Sequence, residues 1–118
     1  MQNKINILIT GAAGYVGSHL VAFLLKKPLV KILAIDNFSN SKPNFINNIK
    51  KKYKNKFFFE KIDIRDEKKL SDFFFKNNID IVIHLAAKID AAESFNKKDE
   101  YRSINLESTK KLINIATI

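Results

Sequence analysis

The 118 residues are enough for one domain with a hydrophobic core, and the absence of cysteine excludes a disulfide framework and a thiolate metal site. No apolar run approaches the roughly 20 residues of a membrane span, and the N-terminus carries no cleavable leader, so we expect a reducing, cytoplasmic setting. The net charge of +9 permits a nucleic-acid partner, but only Arg65 and Arg102 among the 21 basic residues are arginine, which indicates a lysine-rich composition rather than a recognition surface.

The first predicted elements are a strand and a helix joined by a glycine-rich turn. The apolar run Ile5–Ile9 precedes Gly11, Gly14 and Gly17, and an amphipathic pattern then predicts a helix over Tyr15–Lys27. The first glycine lets the chain turn off the strand, the second leaves room for a pyrophosphate, and the third lets the helix pack closely. Because the first N–H groups of a helix lack partners at the positive end of its dipole, this layout predicts an anion site.

A second apolar run predicts a buried strand over Val30–Asp36. Asp36 follows Gly17 by nineteen residues, where a dinucleotide-binding unit carries the carboxylate that accepts hydrogen bonds from the adenosine ribose. Capping or solvating the strand end is the alternative role for this carboxylate. The polar stretch 37–43 is predicted to be a loop.

Three helices and two strands are predicted along the rest of the chain. They are helix Asn44–Lys54, strand Phe57–Ile62, helix Glu67–Asn77 with Asp66 as its cap, strand Asp80–Leu85 and helix Glu100–Ala116. Pro28 is predicted to end the first helix. Apolar spacing predicts the buried faces of the four helices in order as Val16, Leu20, Phe23 and Leu24; Phe45, Ile46, Ile49 and Tyr53; Leu70, Phe73 and Phe74; and Tyr101, Ile104, Asn105, Leu112 and Ala116.

The densest basic segment is Lys50–Lys56, which contains five lysines. It falls where a helix is predicted to end and a strand to begin, so we interpret it as a solvated helix end and loop, with lysines favoured by the helix dipole. A basic nucleic-acid binder that uses this segment stays as an alternative function.

Strands alternate with helices four times, which predicts an α/β fold with a parallel sheet, right-handed crossovers and helices on both faces. We expect a Rossmann-type doubly wound sheet of strand order 3-2-1-4 within one domain, residues 1–118. Ligands of such sheets bind where the strand order reverses, beyond the carboxyl ends of the strands. The glycine turn, Asp36, Asp63 and Leu85–Ala87 are all predicted to lie at that edge.

Other polar residues have a structural alternative to a role in binding. Asp63 is a candidate for a contact near an adenine, or it caps the following turn. Asn105 is a candidate ligand contact, or it satisfies a buried backbone group. His19 and His84 show no partner pattern for catalysis or metal binding and are interpreted as structural.

The motifs together resemble the extended short-chain dehydrogenase/reductase family, and within it they are most similar to the UDP-glucose 4-epimerases. The resemblance covers almost the whole chain. It rests on the stretches 10–19 (TGAAGYVGSH), 36–41 (DNFSNS), 63–66 (DIRD), 83–87 (IHLAA), 93–94 (ES) and 105–109 (NLEST).

The resemblance implies a bound NAD that takes a hydride from carbon 4 of a nucleotide sugar and returns it to the opposite face, which interconverts UDP-glucose and UDP-galactose. It also implies a homodimer. The implied cofactor contacts are Gly11, Gly14, Tyr15, Val16 and Gly17 at the pyrophosphate; Asp36, Asn37, Asn40 and Ser41 at the adenosine ribose; Asp63 and Ile64 at the adenine; and Leu85, Ala86 and Ala87 toward the nicotinamide ribose.

The sequence departs from the pattern of this family at three places. Ile89 stands where the epimerases carry a lysine, and Ser108 stands where the last helix motif carries a glycine. The family's catalytic Tyr-x-x-x-Lys pair is absent, since His19, Phe57 and Asn105 follow the three tyrosines by four residues.

We therefore expect the cofactor-binding N-terminal part of an epimerase, which ends at Ile118 before a fifth strand. It would have no catalytic residue of its own, no activity alone and low solubility, because strand four would present an apolar edge. An NAD-dependent nucleotide-sugar dehydratase of the same family and a catalytically silent NAD-binding module are the alternatives.

Overall fold

The computed structural model describes residues 4–37, 44–86 and 108–116, which form four strands and four helices. The strands are β1 (Ile5–Thr10), β2 (Val30–Asp36), β3 (Phe57–Lys61) and β4 (Ile81–His84). The helices are α1 (Tyr15–Leu24), α2 (Asn44–Lys52), α3 (Glu67–Lys76) and α4 (Ser108–Ala116). The predicted start of the last helix at Glu100 lies outside the described residues.

The four strands form one parallel sheet in the order β3-β2-β1-β4. In the centre of the sheet Ile7 pairs with Ile32 on one side and with Ile81 on the other, and Ile32 pairs with Phe57. The predicted Rossmann-type strand order is therefore confirmed. The order reverses between β1 and β4, so that a crevice is expected beyond their carboxyl ends.

Alternate side chains of the central strands enter two separate hydrophobic cores. Ile7 and Ile9 of β1 pack on the side of α1 and α2, whereas Leu8 between them packs with α3 and α4. This double burial accounts for the unbroken apolar runs, because a parallel strand covered on both faces has no solvent side.

Helix α1 ends at Leu24 rather than at Lys27 as predicted. The chain continues in a tighter turn, in which the Lys26 and Lys27 N–H groups donate to carbonyls three residues back, at 3.3 and 3.0 Å. The Lys56 ammonium donates to the carbonyls of Leu25 and Lys27 at 2.7 and 2.6 Å. This lysine of the basic segment therefore satisfies the end of a neighbouring helix, a role that the sequence did not indicate.

The predicted buried face of α1 is partly wrong. Val16 and Phe23 are 61% and 57% exposed, whereas Gly17 and Val21 are buried. The helix is rotated because Gly17 lies directly against the backbone of the preceding turn. The faces predicted for α2 and α3 are confirmed, with Ile46, Ile49, Leu70 and Phe73 buried and Phe45, Tyr53 and Phe74 packed beside them.

Helix α4 confirms its predicted face at one position and contradicts it at another. Leu112 is buried in the second core, but Ala116 is exposed. The position of Ala116 at the last residue of the described helix explains its exposure, since no further turn follows within the described helix. Tyr101, Ile104 and Asn105 lie outside the described residues.

Candidate functional site

The glycine turn closes the carboxyl end of β1 with its own backbone. Gly11 has φ +71°, a left-handed conformation that glycine adopts without strain. The N–H of Gly11 donates to the Ile35 carbonyl at 3.0 Å, and the Gly14 N–H donates back to the Gly11 carbonyl at 3.1 Å. The predicted sharp turn at Gly11 is therefore present.

Gly11 also lies against the backbone that follows β4. A Cβ atom at this position would be 2.7 Å from the Leu85 carbonyl carbon and 2.8 Å from the Ala86 nitrogen. The turn and the end of β4 are thus packed together without space for a side chain. This contact brings two of the predicted site segments to one place.

Gly17 and Gly14 differ in what a side chain would meet. A Cβ atom on Gly17 would be 2.1 Å from the Gly11 carbonyl oxygen, so that only glycine fits between the helix and the turn. At Gly14 the Cβ atom would meet that same oxygen at 3.3 Å, and no other atom of the described residues beyond its chain neighbours and its own helix. Gly14 has φ −74° and ψ 176°, an ordinary extended conformation, so its backbone angles do not penalise a larger residue.

The N-terminus of α1 has the features of an anion site. Gly14 is its N-cap residue, no side chain caps it within the described part of the chain, and its first turn carries no acidic residue. Tyr15 and Val16 in that turn are largely exposed. The first helical N–H groups, at the positive end of the dipole, therefore have no side-chain cap within the described residues, which fits a pyrophosphate.

Two carboxylates are held at the edge of this site. Asp36 accepts a hydrogen bond from the Ala13 N–H at 3.0 Å, so that the end of β2 is tied to the glycine turn. Asn37 donates from its side-chain nitrogen to Asp63 at 3.0 Å. The segments after β2 and β3 thereby meet beside the turn.

Arg65 pairs with the Asp63 carboxylate. Its guanidinium donates at 2.6 Å, and its backbone N–H donates at 2.9 Å. These bonds from Arg65, assisted by Asn37 and opposed by burial, lower the pKa of Asp63 to about 2. Asp63 thus caps the turn that follows it, the alternative weighed above, while remaining next to Asn37.

Ile64 offers the site only its backbone, because its side chain is buried in the second core. Leu85 and Ala86 lie at the site through their contact with Gly11. Asn40, Ser41, Ala87 and Asn105, also predicted to contact a cofactor, lie outside the described residues.

A hydrogen-bonded link at the same edge was missed from the sequence. His84 shares hydrogen bonds with the Thr10 hydroxyl at 2.6 Å and with the Thr109 hydroxyl at 2.9 Å. Burial lowers the pKa of His84. The structural interpretation of His84 is correct, since the ring joins β4 to β1 and α4, but the sequence carries no spacing signal that connects these three residues.

The described residues contain no group of three or more histidine, cysteine, aspartate or glutamate side chains that could hold a metal ion. None of the helices in the described ranges is long and apolar enough to cross a membrane.

The fold and the site define a dinucleotide-binding α/β protein: a 3-2-1-4 parallel sheet with a glycine turn, an open helix N-terminus and an acidic residue at the end of β2. The family model for the NAD dependent epimerase/dehydratase family matches residues 7–118. The chain belongs to this family.

Curated relatives include the UDP-glucose 4-epimerase uge1 of Schizosaccharomyces pombe, 36% identical over 91% of this chain and 30% of the relative. The UDP-glucose 4-epimerase of Haemophilus influenzae is 37% identical over 91% of this chain and 31% of its own length. The chain therefore spans about a third of the length of these relatives.

Solved structures of 4-epimerases are also similar to this chain over about a third of their length. The UDP-Glc/GlcNAc 4-epimerase of Campylobacter jejuni superposes with a TM-score of 0.88 at 30% identity, over 96% of this chain and 33% of that one. The UDP-glucose 4-epimerase of Bifidobacterium longum, in complex with NAD+ and UDP, superposes with a TM-score of 0.86 at 33% identity, over 95% of this chain and 33% of that one.

Proposed function

We propose that this chain is the NAD-binding part of a nucleotide-sugar epimerase that interconverts UDP-glucose and UDP-galactose. The observation that carries the proposal is the open N-terminus of α1 behind the glycine turn, which fits the pyrophosphate of a dinucleotide. Membership in an NAD-dependent family and the similarity to UDP-glucose 4-epimerases support this choice of cofactor and substrate.

The contacts proposed for NAD follow the geometry of the turn. The N–H groups of the first turn of α1 bind the pyrophosphate, and Asp36 and Asn37 bind the adenosine ribose. Asp63 and the Ile64 backbone flank the adenine, and the Leu85–Ala86 backbone lines the way to the nicotinamide ribose. The full proposed set is Gly11, Gly14, Tyr15, Val16, Gly17, Asp36, Asn37, Asn40, Ser41, Asp63, Ile64, Leu85, Ala86, Ala87 and Asn105.

NAD, when bound, supplies the hydride acceptor for carbon 4 of the sugar. The residues of this chain bind and orient the dinucleotide. Within the 118 residues no tyrosine is followed four positions later by a lysine, so the base that takes the hydroxyl proton has no counterpart of the family's type here.

Asp36 is proposed to select NAD over NADP. A 2′-phosphate on the adenosine ribose would lie beside this carboxylate and be repelled. The nearby Arg65 is held by Asp63 through side-chain bonds at 2.6 to 3.2 Å, so that its charge is already matched by a carboxylate.

Calorimetric titration of the chain with NAD and with NADP tests the proposal. NAD should bind, and NADP should bind more weakly. Equal or tighter binding of NADP would contradict the role of Asp36, and absence of binding by either dinucleotide would contradict the proposed function itself.

An assay of UDP-galactose conversion with added NAD tests the chemistry. We expect no turnover above background from the 118 residues alone, because they lack the catalytic Tyr-x-x-x-Lys pair of the family. Light scattering on the same sample measures the oligomeric state, for which a homodimer is proposed. Turnover by a monomer would contradict both the missing base and the dimer.

Two alternatives are separated by simple measurements. A silent NAD-binding module would bind NAD but fail to gain activity when supplied with the remaining part of an epimerase. A nucleic-acid binder that uses Lys50–Lys56 would show binding that falls steeply with salt. The use of Lys56 as a helix cap and the position of the Lys50 ammonium 5.5 Å from the Phe59 ring centre argue for a structural role of this segment.

A further inference from the structure

Three side chains from distant parts of the sequence form a continuous hydrogen-bonded link at the cofactor edge of the sheet. Thr10 and His84 are register partners on adjacent strands, and Thr109 comes from α4. Thr10 is fully buried, and its hydroxyl oxygen also accepts from the backbone N–H groups of Leu85 and Ala86, at 3.0 and 3.1 Å. The link therefore holds the backbone segment that packs against Gly11.

The hydrogen bonds around Thr10 favour one protonation state of the histidine ring. The Thr10 hydroxyl oxygen accepts from the Ala86 N–H and shares the Leu85 N–H with the Thr10 carbonyl, which lies 3.1 Å from that nitrogen, so the hydroxyl hydrogen is best placed toward Nδ1 of His84. Nδ1 must then be unprotonated, and Nε2 carries the hydrogen and donates it to Thr109. The ring is neutral and is held as a single tautomer.

A second proton on the ring is incompatible with this arrangement. It would point from Nδ1 at a hydroxyl oxygen that already accepts from two N–H groups, so that the Thr10 contact weakens or the hydroxyl gives up one of its bonds to Leu85 and Ala86. The same burial that lowers the pKa of His84 makes the charged ring costly to keep in place.

The described elements around the ring supply few charges to compensate. Strands β1 and β4 contain no ionisable side chain other than His84. On the same face, the acidic and basic side chains of α3 are all exposed (Glu67, Lys68, Lys69, Asp72 and Lys76), as is Lys110 of α4. Asp36 lies on the other side of the glycine turn, where it accepts from Ala13.

We propose that His84 is a positioning residue whose neutral ring holds the Leu85–Ala86 backbone against Gly11, so that protonation of the ring loosens the glycine turn and weakens dinucleotide binding. This inference rests on the proposed NAD-binding function. It adds to that function a control by pH that starts at a histidine outside the proposed cofactor contacts.

The sign of the effect follows from the direction of the pKa change. The unfolded chain takes up a proton on this histidine at the ordinary pKa of 6.5, before the folded chain does, so the free energy of unfolding falls as the pH drops below 6.5. NAD binding, which requires the ordered turn, should weaken further below 6.5, where the folded chain itself takes up the proton. Above pH 6.5, the affinity for NAD should not change with pH.

The experiment measures the NAD dissociation constant by calorimetry at about pH 8 and about pH 5.5, on either side of the ordinary pKa of histidine. The wild-type chain should bind roughly two- to fivefold more weakly at the lower pH, because part of the folded chain then carries a proton on His84 that must leave before NAD binds. His84→Asn keeps an oxygen acceptor near the place of Nδ1 but cannot be protonated, and its affinity should not change with pH.

The chain offers a matched control, because it contains only two histidines. His19 is exposed on α1, and His19→Asn should keep the full pH dependence. Thr10→Val removes the hydroxyl and should weaken NAD binding at both pH values, and Thr10→Ser should restore it. In the His19→Asn variant the single remaining ring can be followed by NMR, which reads its tautomer and its pKa without any cofactor.

The outcomes separate this inference from the proposed function. Binding of NAD at the higher pH with unchanged affinity at the lower pH overturns the role of His84, as does an NMR signal for the Nδ1–H tautomer. A pH dependence that persists in His84→Asn and disappears in His19→Asn overturns it as well. No NAD binding at either pH overturns the proposed function first.

Discussion

Two helices follow β1 and β3, the strands on either side of β2 in the sheet, and they begin in opposite ways. Helix α3 is closed by its own chain: the Asp66 side chain accepts from the Lys69 N–H at 3.1 Å, and Glu67 places a negative charge in the first turn. Helix α1 starts at Gly14 with no side-chain cap and no acid within the described residues. Helix α3 thus satisfies N–H groups of its first turn with its own side chain, whereas α1 leaves its N–H groups for an external anion.

The difference shows that the proposed anion site depends on the absence of a capping side chain at the start of α1. At α3 a carboxylate supplies the charge that the helix dipole favours. At α1 the turn residues 11–14 are glycine and alanine, which carry no polar side chain, and the nearby Asp36 accepts from the Ala13 N–H. The positive end of α1 is thus available for a pyrophosphate.

The largest effect on stability is expected from adding a side chain where α1 packs against the glycine turn. Gly17→Ala places a Cβ atom 2.1 Å from the Gly11 carbonyl oxygen, a backbone atom that cannot rotate away as a flexible side chain could. We expect the free energy of unfolding to fall by about 3 kcal/mol, as in other overpacked sites. Urea denaturation measures it, with Gly14→Ala as the matched control that should lose less than about 1 kcal/mol. Similar losses in both variants would contradict the close packing assigned to Gly17.

Filling the space in front of α1 should abolish binding without unfolding the chain. Gly14→Val adds a branched side chain where the pyrophosphate is proposed to lie, while its backbone angles of −74° and 176° suit any residue. NAD binding should fall below detection in calorimetry, and circular dichroism should show the helix content of the wild type. Unchanged affinity would mean that the turn does not hold the pyrophosphate.

Neutralising Asp36 should change cofactor choice more than folding. Asp36→Asn keeps an oxygen that can accept from Ala13 but removes the charge that repels a 2′-phosphate. A hydrogen bond to a charged group contributes about 1.5–3 kcal/mol, so NAD affinity should fall by roughly tenfold to a hundredfold, and the gap to NADP should narrow. Titration with both dinucleotides measures this, with Asp36→Ala showing the added cost of losing the Ala13 bond. If the ratio of NAD to NADP affinity stays the same in Asp36→Asn, residues other than Asp36 discriminate between the two dinucleotides.

Removing the cap of α3 should have the smallest effect, and only on stability. Asp66→Ala takes away the acceptor of the Lys69 N–H and should lower the free energy of unfolding by about 1 kcal/mol. NAD affinity should stay at the wild-type value, because this helix start binds no cofactor in our account. A loss of affinity in this variant would show that the two helix starts are not independent.

Much of this fold follows from local sequence rules. The alternation of apolar runs with amphipathic segments was sufficient for the strand order, and residue type alone identified Asp66 as a cap. The glycine spacing and Asp36 likewise indicated the site. These features are local, or they follow from the general handedness of parallel crossovers, so one sequence contains them.

The errors arise where distant segments decide the outcome. Apolar periodicity placed Val16 and Phe23 inward, but the contact of Gly17 with the Gly11 carbonyl sets the rotation of α1. Lys56 was assigned to solvent, although it caps α1 from 31 residues away in sequence. The link between Thr10 and His84 depends on a strand register that joins residues 74 apart.

The most direct test of the central claim compares the amide groups of the two helix starts in one titration. In ¹⁵N-resolved NMR spectra recorded as NAD is added to the chain, the amides of Tyr15, Val16 and Gly17 should move strongly and saturate with the calorimetric affinity, because a pyrophosphate accepts hydrogen bonds from that turn. The amides of Glu67 and Lys69, at the start that Asp66 closes, should not move. Saturated binding that leaves residues 15–17 unchanged, or that shifts both helix starts equally, would contradict the account.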